Sequence, residues 1–170
     1  MNELTVTSRR NLLGATGTTL LSVAALGGLA DDTTAHAKGV GGAAAAGDVD
    51  ILNVALALEH EAIAAYQIGA ESGLLQKPVL EVAVLFQGHH KAHRDALAGA
   101  IATLGGKPVA PETQATYVTN LEVAKITGQT DILRLAQRLE RGAANAYLGV
   151  IPSFGSTDLA QVAAKLASDE

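Results

Sequence analysis

Five side chains able to hold a metal ion, Glu59, His90, His93, Glu140 and Glu170, fall on segments with helical periodicity. In the second segment Val79, Val82 or Ala83, Phe86, Leu97, Ile101 and Leu104 recur at three- and four-residue steps, and His90 and His93 occupy the same stripe. Their i, i+3 spacing lets both imidazoles point to one region. Glu59 shares a stripe with Leu52, Ala55 or Leu56, Ala62 or Ile63, Tyr66 and Ala70. Glu140 shares one with Leu133, Ala136, Ala143 or Ala144, Tyr147 and Ile151. Carboxylates buried without partners cost several kcal/mol each, and no Lys or Arg lies on these stripes to offset them. Metal ions are the simplest compensation. Oxygen and imidazole donors without thiolate suit Fe, with Mn or Zn as alternatives, better than Cu(I). Tyr66 and Tyr147 read as core residues whose hydroxyls find partners, and His89 as part of a solvated face.

The elements that must position these groups follow from breakers and caps. Asp48 or Asp50 is placed to cap a first helix running from about Ile51 to Ser72. Gly73 to Lys77 makes a short turn, and Pro78 begins a second helix that stops at Gly105-Gly106-Lys107-Pro108. So short a link implies antiparallel neighbours. A long connection to Thr130, with a short helix around Val118 to Ile126, spans enough chain to cross the length of a bundle. Thr130 or Asp131 then caps a third helix reaching about Val150. Pro152 to Gly155 breaks the chain, and Ser156 or Thr157 caps a fourth helix of about fourteen residues, which reads as cut short at Glu170.

The two halves repeat. Glu59 precedes Tyr66 by seven residues and Glu140 precedes Tyr147 by seven, while His90 and Glu170 follow those glutamates by 31 and 30. Two copies of one helical hairpin account for this register.

Composition agrees with close helix packing. The 170 residues suffice for one domain, aromatics make up 3%, and the absence of cysteine excludes disulfides and thiolate ligands. A formal charge of −5 with no basic block leaves nucleic acid without an electrostatic footprint. Ser8-Arg9-Arg10-Asn11-Leu12-Leu13-Gly14, an apolar run from Ala15 to Ala30 and the small-x-small tripeptide Ala35-His36-Ala37 are expected to form an export signal of twin-arginine type. The run is interrupted by Gly and Thr, so cleavage is expected rather than a lasting membrane span. Domain boundaries are therefore placed at 1–37 for the signal, 38–47 for a Gly/Ala-rich linker and 48–170 for the helical domain. The expected destination is the periplasm or another exported location. The expected partners are the twin-arginine machinery, metal ions and further copies of the chain.

From Asp48 to Glu170 the chain resembles the ferritin-like superfamily, an all-α class of antiparallel four-helix bundles with a long crossover between the second and third helices. Its dinuclear sites take one Glu from each of two helices and a Glu-x-x-His from each of the other two. Glu59 and Glu140 match the single positions, within Leu58-Glu59-His60-Glu61 and Leu139-Glu140, with Tyr66 and Tyr147 in register. His90-Lys91-Ala92-His93 stands at the first Glu-x-x-His, and Glu170 at the Glu of the second. The resemblance implies Glu59 and Glu140 as terminal ligands, His93 as the nitrogen ligand and Glu170 as a bridge, with iron or manganese redox chemistry toward oxygen species.

Two departures bear on that expectation. His90 replaces a carboxylate that commonly bridges two metals, and a neutral imidazole has one lone pair. The second motif also lacks its His. Fewer than two ions are therefore expected, and a competent ferroxidase is not. The alternative reading is a non-catalytic exported bundle of stress or desiccation type with a degenerate site.

Overall fold

The computed structural model describes residues 42–170; the expected export signal and the first residues of the expected linker lie outside them. Five α-helices follow in order: α1 (Gly42–Glu71), α2 (Lys77–Thr103), α3 (Gln114–Asn120), α4 (Gln129–Val150) and α5 (Thr157–Asp169). Two 3-10 turns, Val123–Lys125 and Ile151–Ser153, complete them, and no strand occurs among the described residues. The all-α bundle expected from the periodicity is what the chain forms.

α1 packs along α2, α4 packs along α5, and α1 against α4 joins the two hairpins. The crossover between α2 and α4 climbs back along α1. Asn53 on α1 clamps its start, donating from Nδ2 to the Lys107 carbonyl (3.2 Å) and accepting from the Val109 amide (2.7 Å). Farther up, His60 Nε2 lies 3.2 Å from the Val109 carbonyl. α3 then buries Tyr117, and with Leu121 it packs on Ala64, Ala65 and Leu135. At the top the Gln76 amide donates to Gln129 Oε1 (2.9 Å), which ties the start of α4 to the α1–α2 turn.

Two apolar clusters result. The lower one gathers Leu52, Leu56, Leu97, Ile101, Tyr147, Leu159, Val162 and Leu166 from four helices. Each fully buried aliphatic side chain there contributes about 1.5–3 kcal/mol. The upper cluster belongs to α1, α4, α3 and the crossover residues just after it.

Three details differ from the sequence-based expectation. α1 reaches back to Gly42, so Gly42 to Gly47 of the expected linker is helical; Ala43 to Ala46 are the strongest of helix formers. Thr130 and Asp131 do not cap α4. Gly128 stands at its N-cap, and Asp131 reaches back from inside the first turn to accept from the Thr127 amide (3.0 Å) and hydroxyl (2.9 Å). Ser156, by contrast, caps α5 as expected, accepting from the Leu159 amide.

The third correction concerns Asp48. It lies within α1, buried, and accepts from the Gly155 amide at 2.7 Å, holding the turn before α5 instead of starting its own helix. Asp48→Ala removes the acceptor of the Gly155 amide and is expected to cost about 0.5–1.5 kcal/mol. Asp48→Asn keeps an acceptor and should recover most of it. Urea midpoints measure both, and an unchanged midpoint for Asp48→Ala would contradict this role.

Candidate metal centre

Directly above the lower apolar cluster the inward stripes carry polar groups instead. Glu59 on α1, His90 and His93 on α2 and Glu170 at the end of α5 bring one ligating atom each within 4.8 Å of one another. Glu59 is 1% exposed and His93 2%. His90 Nδ1 lies 2.9 Å from Glu59 Oε2, and its Nε2 lies 3.3 Å from Glu140 Oε1. His93 Nδ1 is 3.6 Å from Glu59 Oε1 and 3.5 Å from Glu170 Oε1, while its Nε2 faces Asp169 Oδ2 at 3.6 Å. The last four contacts are too long for strong hydrogen bonds. His93 Nδ1 and both Glu170 carboxylate oxygens are in fact buried without a hydrogen-bond partner. Native interiors rarely leave such groups unsatisfied, and when they do an unplaced ion or water is a standard reason.

Four of the five expected residues thus converge, and the fifth stands one step outward. Glu140 lies outside the group of four, accepts from the Tyr66 hydroxyl, and meets the cluster through His90 Nε2 and the Glu170 carboxyl group. Its counterpart is Tyr147, whose hydroxyl donates to Glu59 Oε1. Each helix of the α1–α4 pair therefore lends a Tyr to the other's Glu. That reciprocity explains the repeated seven-residue spacing: in an antiparallel pair, two turns separate Glu and Tyr in opposite directions, so each Tyr meets the facing Glu.

The electrostatics follow from this crowding. Burial alone would push both imidazoles toward neutrality. For His90 the Glu140 and Glu59 carboxylates outweigh it and raise the pKa from 6.5 to about 10; for His93, Glu170 and Glu59 raise it to about 9. Burial favours a protonated Glu59, but His90, His93 and Tyr147 hold it below its ordinary value. Glu170 goes the other way, pushed up to about 7 by burial and by the neighbouring carboxylates Glu140 and Glu59 despite His93. Both tyrosine hydroxyls are raised, first by burial and then by the carboxylates they serve.

Above the cluster the bundle is open. Phe86, expected on a buried stripe, is 41% exposed, and of the alternatives Val82 or Ala83 the first is 50% exposed and the second half-buried. α5 extends only to the level of the cluster, and among the described residues no helix covers this half of α1, α2 and α4. A cavity of about 240 Å³ results, with Val79, Phe86, Ile132 and Ala136 along its walls and Tyr66 and Glu140 at the cluster end.

Two neighbouring groups went unnoticed in the sequence. Asp169 faces His93 at the end of α5. Gln87 is buried, donating to the Ile63 carbonyl (3.1 Å) and Gln67 Oε1 (2.8 Å) while accepting from Lys91 Nζ (2.8 Å). One turn before His90–Lys91, Gln87 shared the helical stripe of the histidines, and that phase was the available signal.

Residues 47–170 match the family model described as a ferritin-like domain. No curated protein and no solved structure matches the chain.

The charge pattern sets a pH dependence for the metal-free protein. Groups with raised folded pKa values stabilise the fold when protonated. Their contribution is complete below the unfolded pKa and is lost as pH climbs through the folded one. For His90 and His93 that loss spans 6.5 to about 10, and Glu170 adds a loss between 4.5 and about 7. Glu59 and Glu140 act oppositely, losing their contribution as the pH falls below 4.5. Melting temperature of chelator-treated protein should therefore fall steadily from neutrality to pH 10. A flat or rising profile there would contradict the arrangement.

Proposed function

Because the chain belongs to the ferritin-like domain family, we propose that it is an exported protein that binds iron, with manganese or zinc as alternatives, and that with iron or manganese it acts on reactive oxygen species. The observation that carries this reading is the convergence of Glu59, His90, His93 and Glu170 with three of their buried polar atoms unpartnered. That donor set of imidazole and carboxylate fits a divalent first-row ion.

The residues have separable tasks. Glu59 and Glu170 supply anionic oxygen, and His90 and His93 supply nitrogen. Bound there, a redox-active ion would supply electrons for reduction of dioxygen or peroxide. Tyr147 fixes Glu59 in place. Leu56, Leu97 and Ile101, all nearly inaccessible, seal the cluster from below. The cavity on the upper side meets the cluster at Tyr66 and Glu140, whose side chain remains 16% exposed. Export rests on the Arg9-Arg10 segment and its small-x-small tripeptide. No described helix is long and apolar enough to cross a membrane.

A second reading has its own support. His90 and Glu59 already form a close ion pair at 2.9 Å, so protons can balance part of the buried charge, and a non-catalytic bundle of stress or desiccation type with a degenerate site would keep its fold.

Metal content after loading with Fe(II) or Mn(II) and removal of excess separates the two. Stable retention, with a melting temperature that drops on chelation, is expected. Less than about one tenth of an equivalent of any transition metal would sink the metal-binding reading, since a preformed site fills under such conditions. His93→Ala should abolish retention while leaving the helical circular dichroism in place.

A further inference from the structure

A second cavity, of about 320 Å³, lies between the crossover and α4. We propose that it binds a small organic anion, a single carboxylate carried on a short apolar body. The site shares no residue with the metal cluster and stands independently of the metal-binding reading.

The pocket sets three cations, Lys125, Arg134 and Arg138, against two carboxylates, Glu122 and Asp131, in a chain whose formal charge is −5. Lys125 Nζ is committed to Glu122 Oε1. Asp131 gives one oxygen to the Thr127 amide and hydroxyl, and its other stands 3.9 Å from Arg134 Nη1, at the outer limit of an ion pair. Arg138 makes no ion pair among the described residues. Its charge is nevertheless felt in the pocket: Lys125 first, and Arg138 after it, hold the Glu122 carboxyl below its ordinary value. One positive charge is left over, and one monovalent anion balances it. A guanidinium fork matches a planar carboxylate with two parallel N–H···O bonds. Phosphate as a dianion would bring one charge too many.

The floor is apolar. Leu121 is buried at 3% exposure and Leu135 at 8%, and Ile126 is half-buried beside them. Small-molecule sites divide their work in this way, with an apolar surface for the body of the ligand and a few polar groups that fix its orientation. The volume lies at the small end of such sites, which selects a compound of a few carbons. Local structure builds the rim. Arg134 and Arg138 stand four residues apart, so both rise from one side of α4. Opposite them a single left-handed residue, Glu122 (φ 54°), turns the chain after α3 and starts the 3-10 turn that carries Lys125.

The test follows the backbone amides of the purified, isotope-labelled chain by NMR during titration with hexanoate, and with hexanamide and inorganic phosphate as separate probes of charge and of apolar body. Saturable hexanoate binding is expected, with the shifts concentrated at Lys125, Ile126, Arg134 and Arg138. Hexanamide and phosphate should each bind at least about tenfold more weakly, the first for want of a charge-assisted hydrogen bond and the second for want of apolar contact. Arg138→Gln should weaken hexanoate binding about tenfold or more. Arg141→Gln, on the next turn of α4 and outside the lining, should leave the titration unchanged. Circular dichroism checks the fold of both variants. Hexanamide or phosphate matching hexanoate would overturn the assigned ligand class. Equal weakening by Arg138→Gln and Arg141→Gln would overturn the site, because a diffuse field would then account for the attraction. Shifts confined to His90, His93 and Glu170, or no saturable hexanoate binding, would also overturn it.

Discussion

Three carboxylates within reach of each other in a bundle core are the constraint on which this structure depends. In water they would repel weakly; beneath Tyr66 and above Leu56 and Ile101 they must meet positive charge or give up their own. Every unusual feature nearby answers that demand. His90 and His93 occupy positions that an ordinary seam would give to Leu or Ala, Glu170 is driven toward its protonated form, and the two tyrosines spend their hydroxyls on Glu140 and Glu59. The helices carry the cluster because the lower apolar core fixes their spacing. Remove Leu97 or Ile101 and the donors above lose their common floor.

The α1–α4 pair shows how a simple repeat solves an orientation problem. Carboxylates on helix faces have free torsions, and a ligand must be held in one of them. A Tyr two turns along the partner helix holds each Glu from the side, and antiparallel packing lets one spacing serve both directions. Among the described residues His90 and His93 stand on the α2 side, and Glu170 with Asp169 on the α5 side. His90, His93 and Glu170 gather around Glu59, and Glu140 meets Tyr66, the outer nitrogen of His90 and the Glu170 carboxylate.

Much of this was legible in the sequence because helical phase is a strong signal when polar residues break an apolar stripe. Glu59, His90 and His93 were found by that break alone, and their burial agrees with it. Tertiary effects were not legible. Asp48 looks like any helix cap until the chain returns from more than a hundred residues away to present the Gly155 amide. Gly128 outcompeted Thr130 and Asp131 as the start of α4, since Asp131 serves equally well from within the first turn. Val82 and Phe86 carry the phase of a buried stripe, but phase says which face is apolar and not whether another helix arrives to cover it. Glu140 had the same seam signal as Glu59. What separates the two is where α2 sets His90, and only the packed structure contains that.

The histidine at position 90 has a further consequence for charge. Without metal, two imidazolium groups face the carboxylates of Glu59, Glu140 and Glu170, with Glu170 near its own titration. A single divalent ion bound by neutral imidazoles brings the same positive charge as those two protons. Loading one ion would thus be an exchange of two protons for two charges that leaves the net charge of the core unchanged. A carboxylate at position 90 would make the core more negative, and the protonated state would lose the pair that now holds Glu59 in place. The imidazole at this position therefore gives the metal-free core a cation of its own, set directly against its most deeply buried carboxylate.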